Sequence, residues 1–136
     1  MSYAIAPALQ KAVYQHLLAD AALAALVGTA IHDAAPPGGT VGTYVALGPE
    51  QVRERSDKTG HGALHEITIS VVSDAAGFST AKQVAAAISD ALVDASLTLE
   101  RGSLVYLNFH RARARREQDA QRRRIDLIFR ARVQDN

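Results

Sequence analysis

LHEITISVVSDAAGFSTAKQVAAAISDALVDA, residues 64–95, changes its hydrophobic period in mid-course, and that change decides the fold. Between Leu64 and Ser73 the apolar Ile67, Ile69 and Val71 alternate with Glu66, Thr68 and Ser70, the period of two that belongs to a half-buried strand. After the AAG turn, Val84, Ile88 and Leu92, with alanines around them, recur at helical spacing to about Ala95. Thr80 followed by Gln83 has the form of a capping box, which places the helix start at Thr80. A strand followed by a helix with one apolar stripe predicts a helix lying on a sheet.

Upstream, Leu9, Val13 and Leu17 recur every four residues behind Pro7, predicting an amphipathic helix from Pro7 to about Ala19. Asp20 suits the cap of a second short helix, Ala21 to Leu26, ended by Gly28. Ile31 and His32 read as a short strand, and the Pro/Gly cluster at 36–42 as a loop. Thr43 to Leu47 reads as a strand stopped by Gly48 and Pro49. The polar stretch from Glu50 to Ala63 then reads as a mobile working loop, with Arg53, Arg55 and Lys58 as candidates for docking a partner.

Downstream, Leu104 to Arg113 and Arg124 to Val133 alternate and form the arms of a long C-terminal β-hairpin, joined by Arg116 to Arg122. Val105, Leu107 and Phe109 on the first arm, and Ile125, Leu127, Phe129 and Val133 on the second, are expected to face the helices. The fold class that follows is α/β in the α+β sense: one domain over residues 1–136, two layers, a mainly antiparallel sheet with helices packed on one face.

Bulk properties narrow the function. The 136 residues are 48% hydrophobic and 21% charged, a globular composition. With no cysteine, thiolate catalysis, disulfides and cysteine-ligated zinc are excluded. Neither a leader-type start nor an apolar run of membrane-spanning length is present, which implies a protein made soluble in the cytoplasm, with no membrane partner. Net charge is only +1, but residues 1–100 carry 5 basic and 10 acidic side chains whereas residues 101–132 carry 10 basic and 3 acidic. One end of the fold therefore either presents a solvated basic face or meets a polyanion or an acidic partner.

No catalytic, cofactor-binding or metal constellation emerges. His61 and His65 have helical spacing, but Gly60 and Gly62 flank the first and a strand begins near the second. Ser56, Asp57 and His61 supply the residue types of a triad within a single loop, which is not the spatial arrangement a triad requires. Glycines 38, 39 and 42 lack the Lys-Ser or Lys-Thr of a phosphate loop. What stands above background is arginine: Arg111, Arg113, Arg115, Arg116, Arg122, Arg123 and Arg124 at the hairpin end, with Arg130 and Arg132 further along. Alternation is expected to divide these between the two faces of the hairpin. Like charges on adjoining strands repel, so their tolerance implies phosphates, acidic neighbours or an interface. The absence of interleaved aromatics argues against a stacking platform for single strands.

Several segments, in this order, carry a family likeness: ALQKAVYQHLLADAALAALVG (8–28), IHDAAP (31–36), YVALGPE (44–50), SDKTGHGALHEITISVVSDAAG (56–77) and SDALVDASLTLERGSLVYLNF (89–109). Together they resemble the tail terminator, or tail completion, family of long-tailed phages and gene transfer agents. The resemblance implies a structural, non-enzymatic assembly protein of a phage-like particle, built in the bacterial cytoplasm and located at the head-proximal end of the tail. It implies a homo-oligomeric ring, usually of six subunits, that caps the tail tube protein, ends its polymerisation and meets the head-tail connector protein, with double-stranded DNA passing through the lumen. Other readings are another connector or neck ring component, or a DNA-binding protein using the basic hairpin. The chain departs from the family at Val71, Val72 and Ser73, where an aromatic is frequent, and in the basic tip REQDAQRRR.

Overall fold

A computed structural model of the chain describes residues 3–33, 42–55, 61–117 and 121–135. The elements run α1 (Ala6–Ala19), α2 (Ala21–Val27), β1 (Ile31–His32), β2 (Thr43–Glu54), β3 (His61–Ser73), α3 (Ser79–Leu92), β4 (Ser103–Arg116) and β5 (Arg123–Asp135). The five strands form one sheet in the order β1-β2-β3-β5-β4, antiparallel except for β1 beside β2. This is the expected α+β architecture.

The helices form where the apolar spacing requires them. Leu9, Val13 and Leu17 of α1 are fully buried, with Pro7 in the first turn. Asp20 caps α2 as anticipated, its carboxylate accepting from the Leu23 amide at 2.9 Å, and Gly28 closes the helix at φ 61°. The start of α3 differs from expectation. Phe78 occupies the cap position and its carbonyl accepts from the Lys82 amide at 2.8 Å, so Thr80 lies inside the helix and no capping box forms. Phe78 packs on the core, and anchoring that ring sets the cap position two residues ahead of the Thr80 hydroxyl that could have served there.

All three helices contribute to one apolar cluster with Val45, Ile69, Val71, Ile125, Leu127 and Phe129, so the helical layer covers one face of the sheet. On β5, Ile125, Leu127, Phe129, Ala131 and Val133 are all buried, the strict alternation anticipated.

Two expectations require correction. Gly48 and Pro49 do not end β2. The register shifts between Leu47 and Glu50, a bulge, and pairing resumes with Glu50–Ile67, Val52–His65 and Glu54–Ala63. Most of the stretch read as a working loop is thus the end of a β2–β3 hairpin: Arg53 is paired with Leu64, and the Arg55 amide donates to the Gly62 carbonyl at 2.7 Å. Lys58 and the Ser56 and Asp57 of the triad motif lie outside the described residues, as do most of the Pro/Gly cluster.

The second correction concerns β4, which is bulged between Leu104 and Tyr106 and again between Phe109 and Arg111. Leu104 and Leu107 reach the helix-facing core as a result, whereas Val105, at the first irregularity, is 57% exposed. Phe109 shares the helix-side face with its partner Phe129, the rings edge to face at 5.9 Å, but stays 45% exposed because the helical layer does not extend over it.

Gly102 at the entry to β4 has φ 72°, and an added Cβ would lie 2.4 Å from the Gln134 carbonyl oxygen. Gly102→Ala is therefore expected to destabilise the domain by more than the ~1 kcal/mol of a tolerated glycine replacement. Phe129→Ala, at full burial, should cost about 3–5 kcal/mol. Chemical denaturation of the two variants checks both values.

Candidate assembly and polyanion interface

Because directly opposed residues of antiparallel strands share a face, the β4–β5 register locates every arginine of the hairpin. Arg111, Arg113 and Arg115 oppose Ile128, Asp126 and Arg124, all on the face away from the helices, where Arg130 and Arg132 also lie. The division between two faces expected from alternation is therefore largely absent. The bulge at His110 switches the phase of β4: Leu107 and Phe109 point to the helix side, and odd positions from Arg111 onward point to the open side. Arg116 and Arg123, opposed to each other, are the pair left on the helix side, where the Arg123 guanidinium lies 5.6 Å from the Phe78 ring centre. Arg122 is in the connection, its carbonyl accepting from the Glu117 amide at 2.8 Å.

Sequence reasoning stressed the tip of the hairpin and gave less weight to Arg130 and Arg132, and it placed Arg53 in a loop. The structure puts all three on the open face, Arg53 arriving through the β2–β3 hairpin. The even spacing of 124, 130 and 132 along β5 is the signal that locates two of them. For Arg53 no local signal exists, because the strand continues through a Gly-Pro bulge.

The open face is organised in two tiers. Near β5 the charges are anchored. Ser70 Oγ donates to Asp126 Oδ1 at 2.6 Å, while Arg124 Nε donates to the same carboxylate at 2.9 Å and Arg124 Nη2 to Ser70 at 3.1 Å. Glu117 lies 3.7 Å from Arg124, and Glu66 lies 3.4 Å from Arg130. Arg132 Nη2 donates to the Arg55 carbonyl at 2.8 Å. Toward the edge the charges are free. Arg115 approaches Asp126 only to 3.8 Å, and among the described residues Arg111, Arg113 and Arg116 have no acidic partner. Arg111, Ala112, Arg113, Asp126 and Ile128 surround a hollow of about 460 Å³. The buried Nε atoms of Arg123, Arg130 and Arg132 have no hydrogen-bond partner among the described residues. Such a surface is suited to meeting anions supplied from outside it.

Among the described residues no group of three His, Asp or Glu side chains is placed to hold a metal ion, and no helix is long and apolar enough to cross a membrane. A hollow of about 560 Å³ between α1 and β2 is lined by Tyr3, Gln10, Lys11, Tyr14, Asp33 and Glu50 among others. At its rim the Tyr3 hydroxyl donates to the Glu50 carboxylate, a bond that raises the tyrosine pKa above its ordinary value, with desolvation and the neighbouring negative charge acting in the same direction. Glu50 also holds buried His65 Nδ1 at 3.3 Å. His16 Nε2 bonds the Ala91 carbonyl at 2.8 Å, and His32 packs edge-on against Tyr44. These are structural contacts that join layers and strand ends.

The two tiers predict different sensitivities. Asp126→Ala, which leaves Arg124 and Ser70 unsatisfied, should cost about 1–3 kcal/mol in denaturant unfolding, whereas Arg111→Ser should leave stability unchanged.

Comparison with known proteins places this geometry. The family model described as Tail completion protein gp17 matches residues 11–134. A search of curated proteins gave no match. Among solved structures, a chain of "Virion of native gene transfer agent (GTA) particle" is 67% identical, with 98% of this chain and 99% of that one covered and a TM-score of 0.91. A match running from the first helix to the last strand, on a fold whose polar groups serve packing and a basic surface, shows that this chain belongs to the tail completion protein gp17 family, whose role in phage-like tails is structural.

Proposed function

We propose that this protein is a non-enzymatic subunit of a virion-like particle, positioned at the head-proximal end of the tail. Copies close into a ring, six in number, that ends polymerisation of the tail tube and provides the seat for the head connector, while duplex DNA passes through the centre. The observation that carries this reading is the one-sided distribution of charge. Arg53, Arg111, Arg113, Arg115, Arg124, Arg130 and Arg132 share the helix-free face with Glu66 and Asp126, and of the edge arginines Arg111 and Arg113 have no acidic partner among the described residues.

A strand edge rich in arginine fits a passage for DNA better than a sequence-reading site. Base readout in the major groove needs a helix or ribbon shaped to the groove, and a flat sheet face gives guanidinium groups at strand spacing with no such shape. Contacts of this kind are sequence-independent and weaken with salt, which lets a genome slide past. The family membership and the 67% identity to a chain of a gene transfer agent virion support the setting. Arg55, on the same hairpin end as Arg53, is proposed to contact the tube or connector, together with Lys58.

The test is a particle assay with Arg111→Ser/Arg113→Ser/Arg115→Ser. Tails of normal length and number are expected, with DNA delivery reduced at least ~10-fold, since three lost phosphate contacts remove about that much at moderate salt. Normal delivery would show the open face to be a solvated surface. Electron microscopy of particles carrying labelled subunits should place the protein at the head-proximal tail end, and density elsewhere would exclude the terminator role. Tight, steeply salt-dependent duplex binding by the isolated monomer would favour a free DNA-binding protein instead.

A further inference from the structure

Asp126 stands among the guanidinium groups of the outer hairpin. It directly opposes Arg113 across the β4–β5 ladder, which puts the two Cβ atoms about 5 Å apart on the open face. With Arg111 and Arg113 it lines the hollow of about 460 Å³. Its two oxygens are used differently. Oδ1 accepts from Ser70 Oγ at 2.6 Å and from Arg124 Nε at 2.9 Å, and so belongs to the anchored tier. Oδ2 accepts no hydrogen bond from the described residues: Arg115 Nη2 stops 3.8 Å away, beyond hydrogen-bond reach yet close enough for Coulomb attraction.

We propose that Asp126 competes with the phosphates of passing duplex DNA for Arg111, Arg113 and Arg115, holding the affinity of the open face down so that it guides the duplex without gripping it. This rests on the reading of that face as a DNA passage and deepens it by naming the residue that limits the contact. The hydrogen bonds from Ser70 and Arg124 need one oxygen acceptor at position 126, which an amide or a hydroxyl also supplies. The negative charge is additional to that role. It acts outward, on the strand whose Arg111 and Arg113 have no acidic partner among the described residues.

Placement separates Asp126 from the other carboxylates nearby. Glu66 lies 3.4 Å from Arg130 and Glu117 lies 3.7 Å from Arg124, so both act on arginines of β5. Asp126 shares Arg124 with Glu117 but keeps its second oxygen for the β4 side, where Arg115 approaches. A phosphate that enters the hollow to meet Arg111 and Arg113 therefore comes alongside a fixed like charge, which lowers the gain from each contact. A guanidinium that releases a phosphate has the carboxylate as an alternative partner, so release leaves no bare charge behind. Both effects favour weak, exchanging, sequence-independent contacts, the kind under which proteins and DNA slide past each other. In the free subunit the same carboxylate eases the repulsion among like charges on adjoining strands.

Fluorescence anisotropy of a short mixed-sequence DNA duplex, titrated with the purified full-length protein, tests the assignment. Asp126→Asn removes the charge and keeps an oxygen for Ser70 and Arg124. It should bind the duplex at least ~5-fold tighter than the wild type at low salt, the factor that one unit charge ~4 Å away gives in water. Between about 50 and 200 mM salt, the slope of log K against log salt should steepen by roughly one, as one more guanidinium becomes available to phosphate. Adding Arg111→Ser/Arg113→Ser to Asp126→Asn should cancel the gain. Should Asp126→Asn lose the circular dichroism of the wild type, Asp126→Ser, which also leaves an oxygen at this position, carries the same expectation. A folded variant that binds no tighter than the wild type overturns the proposal, and so does a gain that survives the loss of both arginines. If Arg111→Ser/Arg113→Ser alone still weakens binding in that event, the open face remains a DNA surface and only the role of Asp126 falls. Particles that lack the protein at the head-proximal tail end would remove the terminator reading and leave the effect of Asp126 on duplex affinity standing.

Discussion

Along β5, Ile125, Leu127, Phe129, Ala131 and Val133 lie against the helical layer without interruption, and this constrains every strand around them. β3 is locked to β5 over thirteen consecutive pairs, from His61–Asp135 to Ser73–Arg123. A slip of one residue would turn the buried set outward and bring Arg124, Arg130 and Arg132 into the core. Burial of guanidinium groups without partners is so costly that the register has no competitor.

β4 meets that constraint by yielding. Its sequence would place Arg111 and Arg113 on the helix side in phase with Leu107 and Phe109. The bulge at His110 absorbs one residue and turns those charges to the open face. The polar network of Ser70, Arg124 and Asp126 then finds its members on three positions that share that face. Fold stability and the charged surface thus have one origin, the alternation of β5, with the bulge distributing what lies beside it. Bulges at strand edges commonly re-aim side chains in this way.

The same geometry divides the molecule's labours. The helix side buries apolar surface and holds the domain together, and residues near β5 on the open side are anchored by Asp126, Glu66 and Ser70. On the outer strand Arg111, Arg113 and Arg116 have no acidic partner among the described residues. An assembly protein has reason to keep its unsatisfied groups there, since a neighbour or a polyanion satisfies them and the isolated subunit need not.

The amino-acid sequence by itself determined the helices, β3, β5 and the class of fold, because periods of 3.6 and 2 are written in consecutive residues such as Leu9–Val13–Leu17 and Ile67–Ile69–Val71. It also determined the uneven charge, the absence of cysteine chemistry and, through its order of packing and turn segments, the family likeness. Only the tertiary structure decided the course of β2 beyond Pro49, the phase of β4 and the entry of α3 at Phe78. Each of these depends on a partner distant in sequence: β3 pairing with Glu50–Glu54, the buried face of β5 across from Arg111, and the core that takes the Phe78 ring. Turn and capping signals at Gly48, Pro49 and Thr80 are local preferences of about a kilocalorie, and ladder pairing and apolar burial outweigh them. For the same reason the gathering of Arg53 with Arg111 and Arg124 on one face was invisible in the chain and follows only once the sheet order is known.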